Sequence, residues 1–193
     1  MDRPDKLDWK WDNEVTPKRC KEIIKSAKGT FKDASIGDDE VSGRLDYERR
    51  KTLIHWSYEQ DLYDMTHHFG NSANKSGQWG LEHSAVESIQ IGKYPKGGHY
   101  DWHVDGLGIT AYNTPDNKLL NGKTRKISFV LWLNDNFEGG EFEFHRSHIK
   151  DNVIKPSIGT ILCFPSWVMH RVKPVTKGTR YSAVSWLVGK PVS

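Results

Sequence analysis

The chain is poor in cysteine, with two among 193 residues. Cys20 and Cys163 stand far apart and in no Cys-x-x-Cys pair, which excludes zinc ribbons and disulfide scaffolds. The expectation is two buried free thiols in a reducing compartment. Long hydrophobic runs are also missing. None approaches the roughly 18–20 residues that span a bilayer, so no membrane association is expected. Residues 1–10 are charged and carry no apolar stretch, so they do not read as a signal peptide. Charge of one sign is lacking too: 28 Lys+Arg oppose 25 Asp+Glu, for a formal +3 and a pI near 8.7. That balance is too weak for the concentrated basic face of a bulk nucleic-acid binder. There is no internal repeat and no low-complexity segment.

Aromatic residues are abundant: eight Trp, seven Tyr and seven Phe within a 36% hydrophobic composition. This suffices for one sizeable core and excludes disorder. The length predicts a single domain over 1–193, with a helical, sheet-supporting part at 1–83 and a β core at 84–189. Residues 1–15 read as an arm or edge strand. Thr16-Pro17 reads as an N-cap followed by a first-turn proline, and Cys20, Ile23, Ile24 and Ala27 follow at helical spacing to Gly29. This predicts a helix over 17–28. Ser57 with Gln60 forms a capping-box pattern, and Tyr58, Leu62, Met65 and Phe69 share one helical face ending at Gly70. Residues 70–80 read as loop, 32–50 as loop with short extended pieces, and 52–56 as a strand. Strands are then expected at 84–94, 99–105, 127–133, 141–145, 159–164, 167–173 and 179–188, punctuated by Gly, Pro, Asn and Asp. The pattern predicts a mainly β protein with N-terminal helices, built as a sandwich or barrel. The gap 106–126 reads as a loop over a site.

In a strand, residues i and i+2 project to one face, so His103 and Asp105 would set an imidazole beside a carboxylate. His170 could deliver a second imidazole to the same point from a later strand. Two His and one carboxylate on one face of a metal leave positions open, which suits non-haem Fe(II). Arg180 shares its strand face with Ser182, Val184 and Trp186. A cation among such neighbours needs a partner, and a bidentate carboxylate would serve. Zinc hydrolysis could also use two His and an Asp, but it has no evident use for Arg180. A non-catalytic ligand-binding jelly roll would not require the complete set.

These residues carry a resemblance. The stretch from about 84 to 189 is similar to the 2-oxoglutarate- and Fe(II)-dependent dioxygenases. Within them it resembles the prolyl 4-hydroxylase-like branch, including small bacterial and bacteriophage members. The order His103-x-Asp105, His170, Arg180 is present, with Tyr94-Pro and Tyr100 ahead of it. Phe129-Val-Leu-Trp-Leu-Asn-Asp, Glu138-Gly-Gly-Glu, Pro156-x-x-Gly-Thr, His170-x-Val-x-Pro-Val and Gly178-x-Arg-Tyr add to it. The resemblance implies a double-stranded β-helix (jelly-roll) core flanked by two or more helices. It implies iron ligation by His103, Asp105 and His170, and binding of the distal carboxylate of 2-oxoglutarate by Arg180. Tyr94 would assist, and Tyr100 and Trp186 are further candidates for the co-substrate pocket. Many collagen-type members have lysine where this chain has Arg180, so the resemblance is nearer to oxygen-sensing and bacterial members. The activity implied consumes dioxygen and 2-oxoglutarate, releases succinate and carbon dioxide, and hydroxylates an unactivated C–H bond of a prolyl residue in a peptide or protein. Ascorbate would keep the iron reduced. A free amino acid or other small molecule is the alternative substrate. Nucleic-acid demethylation would call for a second arginine where Trp186 stands. The implied location is the cytoplasm, that of the host if the source is viral.

The remaining chemistry-bearing residues have plainer readings. His145-x-x-His148 reads as a solvated turn, and His67-His68 as capping the end of a helix. Lys123-Thr-Arg-Lys126 reads as a solvated loop with substrate capture as the alternative. Trp132 and Trp186 read as core or pocket wall. Tyr100 falls on the opposite pleat from His103.

Overall fold

A computed structural model describes residues 6–35, 45–145, 153–155 and 157–191. The chain opens with β1 (Trp9–Trp11), α1 (Pro17–Ser26), β2 (Lys32–Asp33), β3 (Arg50–Lys51), β4 (Leu53–Ser57) and α2 (Gln60–Ser76). The β core follows: β5 (Ala85–Val86), β6 (Ile89–Tyr94), β7 (His99–His103), β8 (Thr124–Trp132), β9 (Glu138–Gly139) and β10 (Phe142–Phe144). It closes with β11 (Val153–Ile154), β12 (Ile161–Pro165), β13 (His170–Val172), β14 (Val175–Lys177) and β15 (Arg180–Gly189). Among the described residues, eight strands form a major sheet ordered β1-β12-β8-β15-β6-β4-β2, with β5 beside β15. Five form a minor sheet ordered β11-β10-β13-β7-β3, and β9 pairs with β14. All pairings are antiparallel, as expected of a jelly roll with helices on one side. The N-terminal strands are woven into both sheets.

Strand alternation on β8 explains the layering. Ile127, Phe129 and Leu131 turn outward to Cys20, Ile23, Leu62 and Ala73 on the helices. Val130 and Trp132 turn inward to Phe142, Phe144, Phe164 and Val172 of the opposing layer. Each such buried side chain contributes ~1.5–3 kcal/mol, so a strand apolar on both faces is the natural centre of the sandwich. Both cysteines are buried and unpaired, as predicted.

Thr16 caps α1 through its Oγ1, which accepts the Arg19 N–H at 3.3 Å, and Pro17 occupies the first turn. The helix closes at Ala27 rather than Gly29. For α2 neither predicted boundary holds. Its cap is Glu59, which makes no side-chain capping bond, while Ser57 accepts only the Glu59 N–H at 3.4 Å. Arg19 ties Glu59 and Asp61 to α1 instead. Gly70 does not end the helix. A Cβ there would lie 2.3 Å from Leu187 Cδ1, so glycine lets α2 rest directly on β15. The buried face is Leu62, Thr66, Gly70 and Ala73, and Tyr58 is 78% exposed. Residues 70–76 are therefore helix, not loop. His67 and His68 sit mid-helix, which removes the end-capping role; His67 instead lies ring-edge to His83 through a shared Asn71.

The basic cluster is also corrected. Thr124, Arg125 and Lys126 belong to β8, and Thr124 and Lys126 are each only 4% exposed. Pairing with β15, which extends to Gly189, draws these residues into the sheet. His145 is exposed and meets the edge of Trp102; His148 and residues 36–44 of the predicted loop lie outside the described residues.

Candidate active site

β7 and β13 are neighbours in the minor sheet, and their register sets His103 opposite His170. Asp105 lies two residues past the end of β7, and its N–H donates to the Ser166 carbonyl at 2.9 Å, as does that of Gly106 at 3.1 Å. Three donor atoms, one each from His103, Asp105 and His170, lie within 4.8 Å of one another. The two imidazoles are 4.2 Å apart, ring centre to ring centre. Each Nδ1–H donates to a main-chain carbonyl: His103 to Asp101 at 2.7 Å, and His170 to Val168 at 2.9 Å. That fixes both tautomers and turns both Nε2 lone pairs toward Asp105. The Nε2 atoms stop 3.6 and 3.7 Å from the carboxylate, too far to hydrogen-bond and open enough for a cation between them. Burial, and then neighbouring His170, push His103 down from its ordinary value, so it is neutral at pH 7. Burial alone would raise Asp105, but the imidazoles, Arg125 and a 2.6 Å hydrogen bond from Ser128 outweigh it and hold it ionised. Two imidazoles beside one ionised carboxylate, each with its outer hydrogen bond made, fit a divalent transition metal.

Arg180 opens β15 opposite Tyr94 of β6. It is 1% exposed, and its guanidinium lies over Tyr94 (4.9 Å) and Trp132 (5.7 Å). One Nη donates to Ser182 Oγ at 3.1 Å, and Nε has no partner. Among the described residues no carboxylate pairs with it. Burial lowers its pKa, and Tyr94 opposes that shift. Such a buried, uncompensated guanidinium is costly unless an anion completes it.

A cavity of about 570 Å³ joins Arg180, Tyr94 and Ser182 to the three-residue cluster and continues to Arg125 and Tyr112. Trp186 lines it six residues along β15 from Arg180, a rise of about 20 Å. It therefore stands at the Arg125 end, with Arg125 stacked 3.5 Å above its ring. Trp132 is core, edge-on to Phe142. Tyr100 departs from the pleat argument. Its ring stacks on His103 at 3.5 Å and 11°. β13 advances two residues, from His170 to Val172, while β7 moves three, from His103 to Tyr100, and this irregularity brings both rings to one side.

Several site residues escaped sequence reasoning. Arg125 forms a two-point pair with Glu87 (2.5 and 2.9 Å), and Tyr112 from the 106–123 loop donates to the same carboxylate at 3.0 Å. Nothing local links Arg125 to a residue 38 positions away. Ser128 did leave a signal: it is a hydroxyl inside the apolar run 127–132 of β8.

Two antiparallel sheets enclosing a buried pair of histidines and one carboxylate define a jelly-roll protein with a metal-competent pocket. Residues 89–188 match the 2OG-Fe(II) oxygenase superfamily, and the chain belongs to that superfamily. A PKHD-type hydroxylase of Picosynechococcus is 32% identical over 117 residues, covering 60% of this chain and 48% of that protein. Another from Idiomarina loihiensis is 34% identical over 104 residues, covering 53% and 42%. The chain thus spans about half the length of the curated relatives it matches. In fold it is similar to the viral collagen prolyl hydroxylase of Paramecium bursaria Chlorella virus-1, with a TM-score of 0.69, 20% identity and coverage of 97% and 98%. It is likewise similar to a Pseudomonas putida prolyl-4-hydroxylase, with a TM-score of 0.67, 17% identity and coverage of 96% and 93%. No helix among the described residues is long and apolar enough to cross a membrane.

Proposed function

We propose that the protein is an Fe(II)- and 2-oxoglutarate-dependent dioxygenase that hydroxylates a prolyl residue in a peptide or protein. The observation that carries this reading is Arg180: a buried guanidinium with no carboxylate partner among the described residues, open to the cavity that also holds His103, Asp105 and His170. Metal-dependent hydrolysis leaves that cation without a purpose.

His103, Asp105 and His170 would hold the iron. Arg180, steadied by Ser182 and Tyr94, would take the distal carboxylate of the keto acid. Bound there, Fe(II) with 2-oxoglutarate and dioxygen supplies oxidative decarboxylation to succinate and carbon dioxide, coupled to C–H hydroxylation. The chain's own residues prepare the site. The Asp101 and Val168 carbonyls orient the imidazoles, and Ser128 donates to Asp105 and fixes its carboxylate. Phe142 and Phe164 pack against His170 and exclude water from its flank. A prolyl substrate agrees with the hydroxylase relatives and with a cavity that extends well beyond the Arg180 end. Ascorbate would act as the supporting reductant, and two buried thiols suit a reducing cytoplasm.

The test is the visible spectrum without oxygen. Fe(II) and 2-oxoglutarate together should produce a charge-transfer band that neither produces alone. His170→Ala should abolish iron binding, whereas Arg180→Ala should keep the iron and weaken 2-oxoglutarate binding. An unchanged 2-oxoglutarate affinity in Arg180→Ala would overturn that residue's assignment. Mass spectrometry on proline-rich peptides, reading the gain of one oxygen atom, tests the substrate.

A further inference from the structure

The cavity contains a second guanidinium that neither the metal nor the keto acid uses. Arg50, on β3, bridges the sheets at the cavity wall. One Nη donates to the Ser35 carbonyl at 3.2 Å, and the other makes a long 3.4 Å contact to Gln90 Oε1. Its Nε is buried and has no partner. Among the described residues no carboxylate pairs with Arg50. Arg19, Arg125 and Arg171 all have such partners, in Asp61, Glu87 and Glu143. Among the described residues Arg50 and Arg180 are thus two cations without a carboxylate, facing one cavity.

Their neighbours along β6 assign them to different groups. Tyr94 stands beside Arg180, and Gln90 beside Arg50. These two lie on one face of β6, four residues and about 13 Å apart. A small diacid held at Arg180 would not also reach Arg50. Yet Arg50 is near the reacting centre. Its guanidinium lies 4.5 Å from the centre of the Tyr100 ring, which stacks 3.5 Å from His103. A group bound at Arg50 therefore sits beside a metal ligand, across the width of one phenol ring.

We propose that Arg50 anchors the primary substrate by a carboxylate and sets its reacting C–H bond against the metal face of His103. The proposal rests on the dioxygenase reading above and narrows it to carboxylate-bearing substrates. The neutral acceptors already around Arg50 leave its charge unmet, so an anion gains more there than an amide does. The carboxylate can be the α-carboxylate of free proline or the C-terminus of a short peptide ending near the target residue.

The experiment uses the full chain, loaded with Fe(II) and 2-oxoglutarate without oxygen, and two matched probe pairs. One is L-proline against L-prolinamide. The other is an N-acetylated proline-centred tripeptide as its free acid and as its C-terminal amide. Binding is read by calorimetry, and the 2-oxoglutarate band is recorded in parallel. In at least one pair the acid should bind about tenfold or more tightly than the amide, as expected for a charge-assisted contact. Arg50→Gln should erase that preference while the band and the melting temperature persist. The pair that shows the preference identifies the source of the carboxylate. Equal binding of acids and amides, no binding of either acid, or a preference that survives Arg50→Gln would each overturn the proposal. Absence of the band in the unsubstituted protein would count against the keto-acid reading instead, since the acid–amide comparison is read by heat and not by the band.

Discussion

Replacing Gly140 by alanine would disturb the Arg180 end of the cavity without substituting a charged residue. Gly140 has φ = 64°, in the left-handed region, where a side chain costs about 1 kcal/mol. A Cβ there would stand 3.0 Å from Val175 Cγ2, 3.1 Å from Arg180 Cδ and 3.3 Å from Phe137 Cε2. These contacts are tight, and all three neighbours are packed, so overpacking adds ~1–3 kcal/mol. The total is about 2–4 kcal/mol. At roughly 2–4 °C per kcal/mol for a chain of this size, Tm should fall by about 5–15 °C. Gly29→Ala is the control. Its φ of 83° carries the same backbone cost, but nothing lies within 4 Å of the added methyl, so Tm should fall by only about 2–4 °C. The difference isolates packing against Val175, Arg180 and Phe137. The Arg180 guanidinium is seated by Ser182 and Tyr94, so displacing its Cδ should also weaken 2-oxoglutarate binding by about tenfold. Calorimetric melting of both variants and an anaerobic titration of the visible band measure the two effects. If Gly140→Ala melts like Gly29→Ala and binds 2-oxoglutarate normally, then this turn does not shape the Arg180 pocket.

Three further outcomes follow from the packing. Glu87→Ala strands Arg125 beside Trp186 and should cost about 3 kcal/mol in urea unfolding, while adding Arg125→Met should recover part of it; a double variant no better than the single would refute the pairing argument. Burial, and then His67, hold His83 below its ordinary value, so the unfolded chain takes up the proton first. The stability tied to His83 is therefore present above about pH 6.5 and declines below it, and His83→Gln should flatten Tm against pH between 7 and 5. Burial pushes the Cys20 thiol up to about 11 and Cys163 higher still, so neither should react with a thiol-specific disulfide reagent until denaturant is added. A fast native reaction at either site would show that the helix layer opens.

The metal-competent cluster and Arg180 could be read in advance because their signals are local. A His-x-Asp pair needs only strand period, and Arg180 announces itself as a cation on a strand face with Val184 and Trp186. The helix α1 was legible for the same reason, through Thr16 and Pro17. The run over β8 showed both its apolar faces in one segment. Gly70 misled because its role depends on Leu187, which is far away in the chain, and a glycine at a helix–sheet contact looks the same in sequence as one that ends a helix. His67 and His68 changed role with that boundary.

What the sequence determined by itself was the mainly β class, the burial of both cysteines and the identity of the four residues that meet at the cavity. Each follows from side-chain period or residue chemistry. Only the tertiary structure decided which distant groups touch. The slip in register between β7 and β13 laid Tyr100 on His103, against strand parity. The pairing of β8 with β15 turned Arg125 from a solvated residue into the partner of Glu87. The closing of the two sheets left Arg50 without a carboxylate partner among the described residues. Those contacts depend on strand register and sheet closure, which are settled by the summed burial of the whole chain and leave no mark in any short stretch of it.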